Sequence, residues 1–319
     1  MSGRKALVWA LAVAITIVAA YFAVRNAHPD DVWAALREAE LWWIVPSLGV
    51  LAVAIFVRAV RWQYLFHAET RPPLGAVSSA MLVGLAVNNL LPFRAGEAVR
   101  IVALGRRTGT SRVESLATVA LERALDVFCL LLLLLLSLPW LPEVEWVGAA
   151  AAVALTLALL LGGAAIAFAV YGERPFHALE RALGRLPFVP VEAMEHAAAA
   201  LGRGLVGLRN PAVAVTALVL TTLSWLLLSV SFWLLMPAFE LELAPVAGVL
   251  VLAAVGFSVA LPAAPSGLGV FEAATVVALG AYGVSASHAL SYAVTLHALN
   301  LVPYLVAGAV AVRFTRPPR

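Results

Sequence analysis

The chain has 319 residues, of which 63% are apolar and 12% charged, with a mean hydropathy of +0.97. A soluble domain carries about 25% charged residues, so a water-exposed globule is excluded and an integral membrane protein is expected. The net charge is +3 and the one cysteine, Cys129, lies in an apolar run, which excludes an intramolecular disulfide and a multi-cysteine metal site.

The spans are read as helices, because a membrane barrel would show short segments of alternating polarity and none occur. MSGRK precedes LVWALAVAITIVAAYFAV. A secretory signal peptide has that layout, but this stretch reaches full spanning length, so an uncleaved first span at 7–24 is expected. Further spans are read at 41–57, 74–91, 113–138, 147–171, 211–236, 245–262 and 287–312, with a shorter helix at 268–280. Each is long enough, or nearly so, for a hydrocarbon core of about 30 Å at about 1.5 Å per residue. Asp30 and Asp31 fall in the first outer loop, where a solvated loop is favoured over an acidic glycosyltransferase-like motif. Trp42, Trp43, Trp140 and Trp146 sit near span ends as interfacial anchors. Between 172 and 210, Phe176, Leu179, Leu183 and Leu186, then Met194, Ala198, Leu201, Leu205 and Leu208, recur at helical spacing with five Arg among them. That pattern predicts amphipathic helices on an anionic cytoplasmic surface.

Orientation follows the Lys/Arg bias of cytoplasmic loops. Sixteen of the 21 basic residues, among them Arg58, Arg61, Arg71, Arg106, Arg107 and Arg112, fit the cytoplasmic side, with both termini there. An internal repeat is also present: EAVRIVALG at 97–105 matches EAATVVALG at 272–280, Gly109 matches Gly283, Ser111 matches Ser285, and Arg123–Asp126 match His297–Asn300 in order. The orientation count makes span 113–138 run outward and 287–312 inward. The expected fold is therefore all-α: a polytopic helical bundle with an inverted repeat, repeat one at about 41–138, the amphipathic insert at 172–210, and repeat two at about 211–312.

Because both 74 and 106 count as cytoplasmic, residues 74–105 are expected to dip into the membrane and return as a re-entrant hairpin. Asn88, Asn89 and Pro92 break its first arm and Gly96 permits the turn; Pro262, Pro265, Gly267 and Gly269 would form the tip of its counterpart, which enters from the other side. Irregular backbone at such depth is tolerated where it is buried in protein or lines a wet cavity. Arg94, Glu97 and Arg100 then lie at membrane depth, joined by Glu122, Arg123 and Asp126. Ser111 and Glu114 form a capping box that starts the next helix, and Glu114, Thr118, Glu122 and Asp126 make one polar stripe along it. Each buried charge costs about 2.5–3.5 kcal/mol on insertion scales, on the order of 15 kcal/mol for six if unpaired. Three Arg against three carboxylates is a balanced set that could be purely structural. Pairing seldom makes buried charges better than packed apolar groups, so a solvated site is favoured. Rigid guanidinium forks select phosphate or carboxylate ligands. Arg94, Arg100, Arg123 and Asn89 are accordingly read as lipid- or anion-binding. Glu97, Glu122, Asp126, Glu272, His297 and Asn300 are read as charge-balancing or proton-coupling, with the bland alternatives of a helix-start cap for Glu272 and interhelical bonding for His297 and Asn300.

NNLLPFRAGEAVR, followed by the Glu-Arg of LERALDV and by PSGLGVFE, resembles the membrane region of the lysylphosphatidylglycerol synthase family, over roughly residues 10–312. The resemblance implies that Asn89, Pro92, Arg94, Gly96, Glu97, Glu122, Arg123, Asp126, Pro265, Gly267, Gly269 and Glu272 line a lipid path. In that family the membrane region is thought to move an aminoacylated phospholipid made by a fused soluble domain. After the last span only RFTRPPR follows, so synthase activity is not expected. The expectation is a lipid flippase of the cytoplasmic membrane, with no catalytic residue, metal or cofactor. Its partners would be phosphate-bearing lipids rather than nucleic acid, with a homo-oligomer or an envelope-biogenesis partner as further company. An enzyme acting on a lipid-linked phosphate and a non-transporting envelope scaffold are the alternatives.

Overall fold

A computed structural model of the chain describes residues 3–91, 94–171, 210–258 and 265–315. These residues form α-helices and short 3-10 turns, with no strand among them. In chain order the helices are α1 (Gly3–Val24), α2 (Pro29–Glu38), α3 (Ile44–Tyr64), α4 (Leu74–Leu90), α5 (Ala95–Thr108), α6 (Arg112–Ser137), α7 (Glu145–Tyr171), α8 (Pro211–Leu235), α9 (Val246–Ser258), α10 (Val270–Gly280) and α11 (Ala286–Ala311). Among the described residues, four stretches are both long and apolar enough to cross a bilayer: Leu41–Tyr64, Glu145–Gly163, Ala212–Phe239 and Ala286–Phe314. Helix α6, at 26 residues, has the length but carries charges along its first half. Val45, Leu136 and Leu159 point outward, as a lipid-facing surface requires.

Helices α3 and α8 pack side by side and antiparallel. Ser47 Oγ donates to the Ser231 carbonyl at one end (2.7 Å) and Ser231 Oγ returns the bond to the Ser47 carbonyl (2.8 Å), while Arg61 meets Thr221 at the other end. Around this pair stand two helical hairpins of short helices, α4 with α5 and α9 with α10, each pressed together and each followed by a 26-residue helix. Helix α11 lies against α4, and α6 against α9. Glycines set the close crossings, because an added Cβ has no room there. A Cβ on Gly96 would run into the Gly84 carbonyl, one on Gly308 into Ala86 and the Leu82 carbonyl, and one on Gly248 into the Ser229 carbonyl.

The helix starts repeat as well. Ser111 caps α6 by accepting the Glu114 N–H, and Ser285 caps α11 by accepting the His288 N–H. Two residues before each cap, Gly109 and Gly283 take left-handed backbone (φ 72° and 77°). The residue before α5, Arg94, and the one before α10, Gly269, also have positive φ (52° and 79°). An arginine at such a φ carries a steric cost that glycine does not.

Several expectations are corrected. Helix α3 continues to Tyr64 rather than ending near 57, so Arg58 and Arg61 are part of a helix and not of a cytoplasmic loop. VRAVRWQY keeps Ala59 and Trp62 on a buried face, and Arg is a good helix former. Asp30 and Asp31 lie in the first turn of α2 after Pro29 at its first position, a favourable placement for both residue types. Gly96 does not make the hairpin turn: it is inside α5, donating its N–H to Asn88 Oδ1 (2.8 Å) and serving the approach to Gly84. The capping box at α6 is half formed, because the Glu114 carboxylate accepts from Thr70 Oγ1 (2.8 Å) rather than returning to Ser111. Pro92, Pro262 and nearly all of the amphipathic segment (172–209) lie outside the described residues.

Candidate functional site

The polar stripe of α6 faces α3 and the loop after it. From one end to the other, Glu114 meets Thr70, Thr118 Oγ1 accepts from Trp62 Nε1 (3.1 Å), and Glu122 and Asp126 meet Arg61. Four-residue spacing keeps these groups on one helical face, and long Arg and Trp side chains bridge the gap between the backbones.

Arg61 is the centre of the cluster. It is completely buried, with Nη2 at 2.8 Å from Glu122 Oε1 and Nη1 at 2.5 Å from Asp126 Oδ1. Glu122 also holds Arg100 (3.1 Å), whose guanidinium lies over the Trp62 ring at 4.6 Å. Arg100 is buried, fixed by a carboxylate on one side and an aromatic face on the other. Arg123 differs: it reaches Glu97 (3.3 Å), Glu122 (3.0 Å) and Asp126 (3.3 Å), yet 36% of its side chain is exposed. Arg94, at 3.9 Å from Glu97, is 43% exposed. These two partly exposed arginines meet at Glu97, beside a buried base of Arg61, Arg100, Glu122 and Asp126.

Arg58 stands beside this cluster without a carboxylate of its own. No ion pair to it is found among the described residues; its guanidinium sits over the Trp225 ring at 4.7 Å, and Trp225 Nε1 donates to Asp126 Oδ1 (3.2 Å). Sequence reasoning set three Arg against three acids. The assembled site holds five guanidinium groups, Arg58, Arg61, Arg94, Arg100 and Arg123, against Glu97, Glu122 and Asp126. Arg58 and Arg61 were missed because the loop assignment placed them in water. Their i, i+3 spacing on a stretch with continuing apolar positions was the signal that could have found them.

The second hairpin carries a smaller site. Glu272 Oε2 accepts the Gly269 N–H (2.7 Å), capping α10, and Oε1 lies 2.6 Å from His297 Nδ1 on α11. The Phe271 ring stacks on the imidazole at 4.5 Å. Glu272 is the third residue of α10 as Glu97 is of α5, and His297 stands twelve residues after the Ser285 cap as Arg123 stands twelve after Ser111. The two expected asparagines are turned onto their own helices: Asn89 donates to the Leu85 carbonyl and Asn300 to the Leu296 carbonyl, both at 2.9 Å. Pro265 and Gly267 form a short 3-10 turn just before Gly269.

The family model for the lysylphosphatidylglycerol synthase TM region matches residues 9–308. The chain belongs to that family. Among curated proteins it is similar to a UPF0104 membrane protein from Methanothermobacter thermautotrophicus, 28% identical over 133 residues. That alignment spans 40% of this chain and 39% of the relative. Membership of this family and the apolar helices together identify a multi-helix membrane protein.

Proposed function

We propose that this family member is a lipid translocase that carries a phosphate-bearing lipid between the leaflets of the cytoplasmic membrane. One observation carries the reading: five guanidinium groups face three carboxylates within a bundle of apolar helices, leaving a formal excess of two positive charges; at mid-membrane depth, as the reading has it, each unbalanced charge costs about 2.5–3.5 kcal/mol on insertion scales. A phosphate headgroup cancels that excess, and its tails remain in lipid. Arg94 and Arg123 are the groups open to it. Arg61 and Arg100 are held by carboxylates and shape the base. Arg58 over Trp225 offers a further contact. The family description adds a link to phospholipid chemistry.

The mechanism uses an inverted repeat in which α3–α6 correspond to α8–α11 and each short-helix hairpin is re-entrant. Support comes from the matched order of long, short, short and long helices, the antiparallel α3 and α8, the paired serine caps, and the equivalent ties Glu97–Arg123 and Glu272–His297. In such carriers the site between the repeats opens alternately to the two sides. The chain is proposed to act without a catalytic residue, with both termini in the cytoplasm and membrane lipid as its partner.

Proteoliposomes tested with fluorescent phosphatidylglycerol and a fluorescent polyprenyl phosphate measure the activity. Accelerated flipping of either lipid that falls at least tenfold in Arg94→Ala and Arg123→Ala is expected. Rates equal to those of empty vesicles for both lipids overturn the reading.

A further inference from the structure

We propose that the Glu272–His297 pair is a proton-binding site that couples proton movement to the opening of the second hairpin, an inference resting on the translocase reading. His297 is only 5% exposed. Its Nδ1 lies 2.6 Å from Glu272 Oε1, and its Nε2 is buried with no hydrogen-bond partner among the described residues. A neutral imidazole donating from Nδ1 leaves a bare lone pair at Nε2. Binding one proton there turns the pair from a net charge of −1 to 0 without breaking the 2.6 Å contact. Glu272 transmits the change, because its other oxygen holds the Gly269 N–H at the start of α10. The carboxylate thus ties the hairpin to α11, and the proton on its partner sets how strongly it can hold both ends.

The first half of the molecule supplies the contrast. At the equivalent place Glu97 is tied by Arg123 and Arg94, which stay protonated at every accessible pH. One hairpin is therefore held by a permanent cation and the other by a titratable one. The surroundings leave Glu272 as the group that governs the proton on His297. Helix α1 packs on the tip of this hairpin through Thr16 and Ala20 and has no ionisable residue between Val13 and Ala20; α4, α8 and α9 contain none at all. Helix α2 brings Asp30, Asp31, Arg37 and Glu38, but it meets α11 near Ser287 and Ser291, about two turns before His297. On α11 itself the nearest titratable groups are Tyr292, held by the Phe232 carbonyl, and Tyr304, two turns on.

Two measurements test this. Histidine 15N NMR on the purified protein, assigned by His297→Gln among the six histidines, is expected to show the proton of the neutral ring on Nδ1 with Nε2 bare, and to lose that preference in Glu272→Gln. A neutral ring protonated on Nε2 instead, with no vacant acceptor there, overturns the proposal whatever the transport result. In proteoliposomes, a gradient of about one pH unit should bias the leaflet distribution of fluorescent phosphatidylglycerol about tenfold for one proton per lipid. His297→Arg, which copies the first half, should keep flipping and lose that bias. Flipping that ignores the gradient overturns the coupling and leaves the translocase reading standing. No flipping under any condition removes both.

Discussion

Replacing Arg61 by methionine separates a structural cation from a ligand-binding one. Methionine keeps most of the apolar stem, so the loss is chiefly the charge. Arg61 has no exposed surface and neutralises Glu122 and Asp126 together; breaking a buried pair costs about 3–5 kcal/mol. The lower end applies here, because Glu122 keeps Arg100 and Arg123, and Asp126 keeps Arg123 and the Trp225 N–H. At about 2 °C per kcal/mol for a chain of this size, Arg61→Met should lower the thermal midpoint in detergent by about 6 °C. Arg123→Met, whose side chain is 36% exposed, should lower it by less than about 2 °C, in line with partly solvated pairs. The chain carries its own reporter: Cys129 is buried and reacts with a thiol-sensitive dye as the bundle opens. The double variant Arg61→Met/Asp126→Leu should cost less than the sum of the singles by at least about 1.5 kcal/mol, the range for groups in direct contact. Equal midpoints for Arg61→Met and wild type, or additive singles, would refute the assignment of Arg61 as the buried counter-ion.

Further substitutions probe the frame. Gly96→Ala and Gly308→Ala should each lower the same midpoint by several degrees, because the new methyl meets a backbone carbonyl or the Ala86 side chain. Gly49→Ala and Gly148→Ala, where a Cβ meets nothing within 4 Å, should not lower it. Ser111→Ala and Ser285→Ala should each cost about 1 kcal/mol, the usual worth of a helix cap, if the two long helices start alike; a large effect at one and none at the other argues against equivalent halves. In a Cys129→Ser background, Asn89→Cys and Ser266→Cys, near the two hairpin tips, should react with an impermeant maleimide more slowly than the loop variant Glu69→Cys. Equal rates at all three would remove the re-entrant arrangement.

The fold was legible where hydrophobic length decides it. The helix that became α6 was read nearly to the residue because Ser111 and the following periodicity mark its start, and its polar stripe was visible in the four-residue spacing of Glu114, Thr118, Glu122 and Asp126. What that stripe faces was not legible. Arg58 and Arg61 look like loop charges because their partners lie some 60 to 160 residues away on α6 and α8, and the Lys/Arg bias cannot distinguish a cytoplasmic arginine from one paired inside the bundle. Parity misled in the same way: three bases against three acids seemed complete, so nothing prompted a search for another cation. The orientation of Asn89 and Asn300 was hidden for another reason, since a polar residue on an apolar helix can satisfy itself on its own i−4 carbonyl, and spacing does not reveal which way it turns.

On the inverted-repeat reading the two halves share a frame but not a field. Arg94, Arg100, Glu122, Arg123 and Asp126 stand where the other half has Gly269, Thr275, Leu296, His297 and Asn300. Of the charged set, Glu97 alone is kept, as Glu272. Two equal halves would attract an anion equally from both sides of the membrane and hold it midway. Here the positive potential belongs to α3, α5 and α6, so on the proposed translocase reading a phosphate would stay with the first half throughout a cycle, anchored by cations that never titrate. The second half, whose hairpin is tied to α11 by one carboxylate and one imidazole, would on the same reading be free of that duty and be the part that changes its hold on the bundle. Division of labour of this kind places binding and movement on different residues. Substitutions at Arg94 and Arg123 should therefore act on lipid affinity, and those at Glu272 and His297 on how the direction of transfer follows a pH gradient.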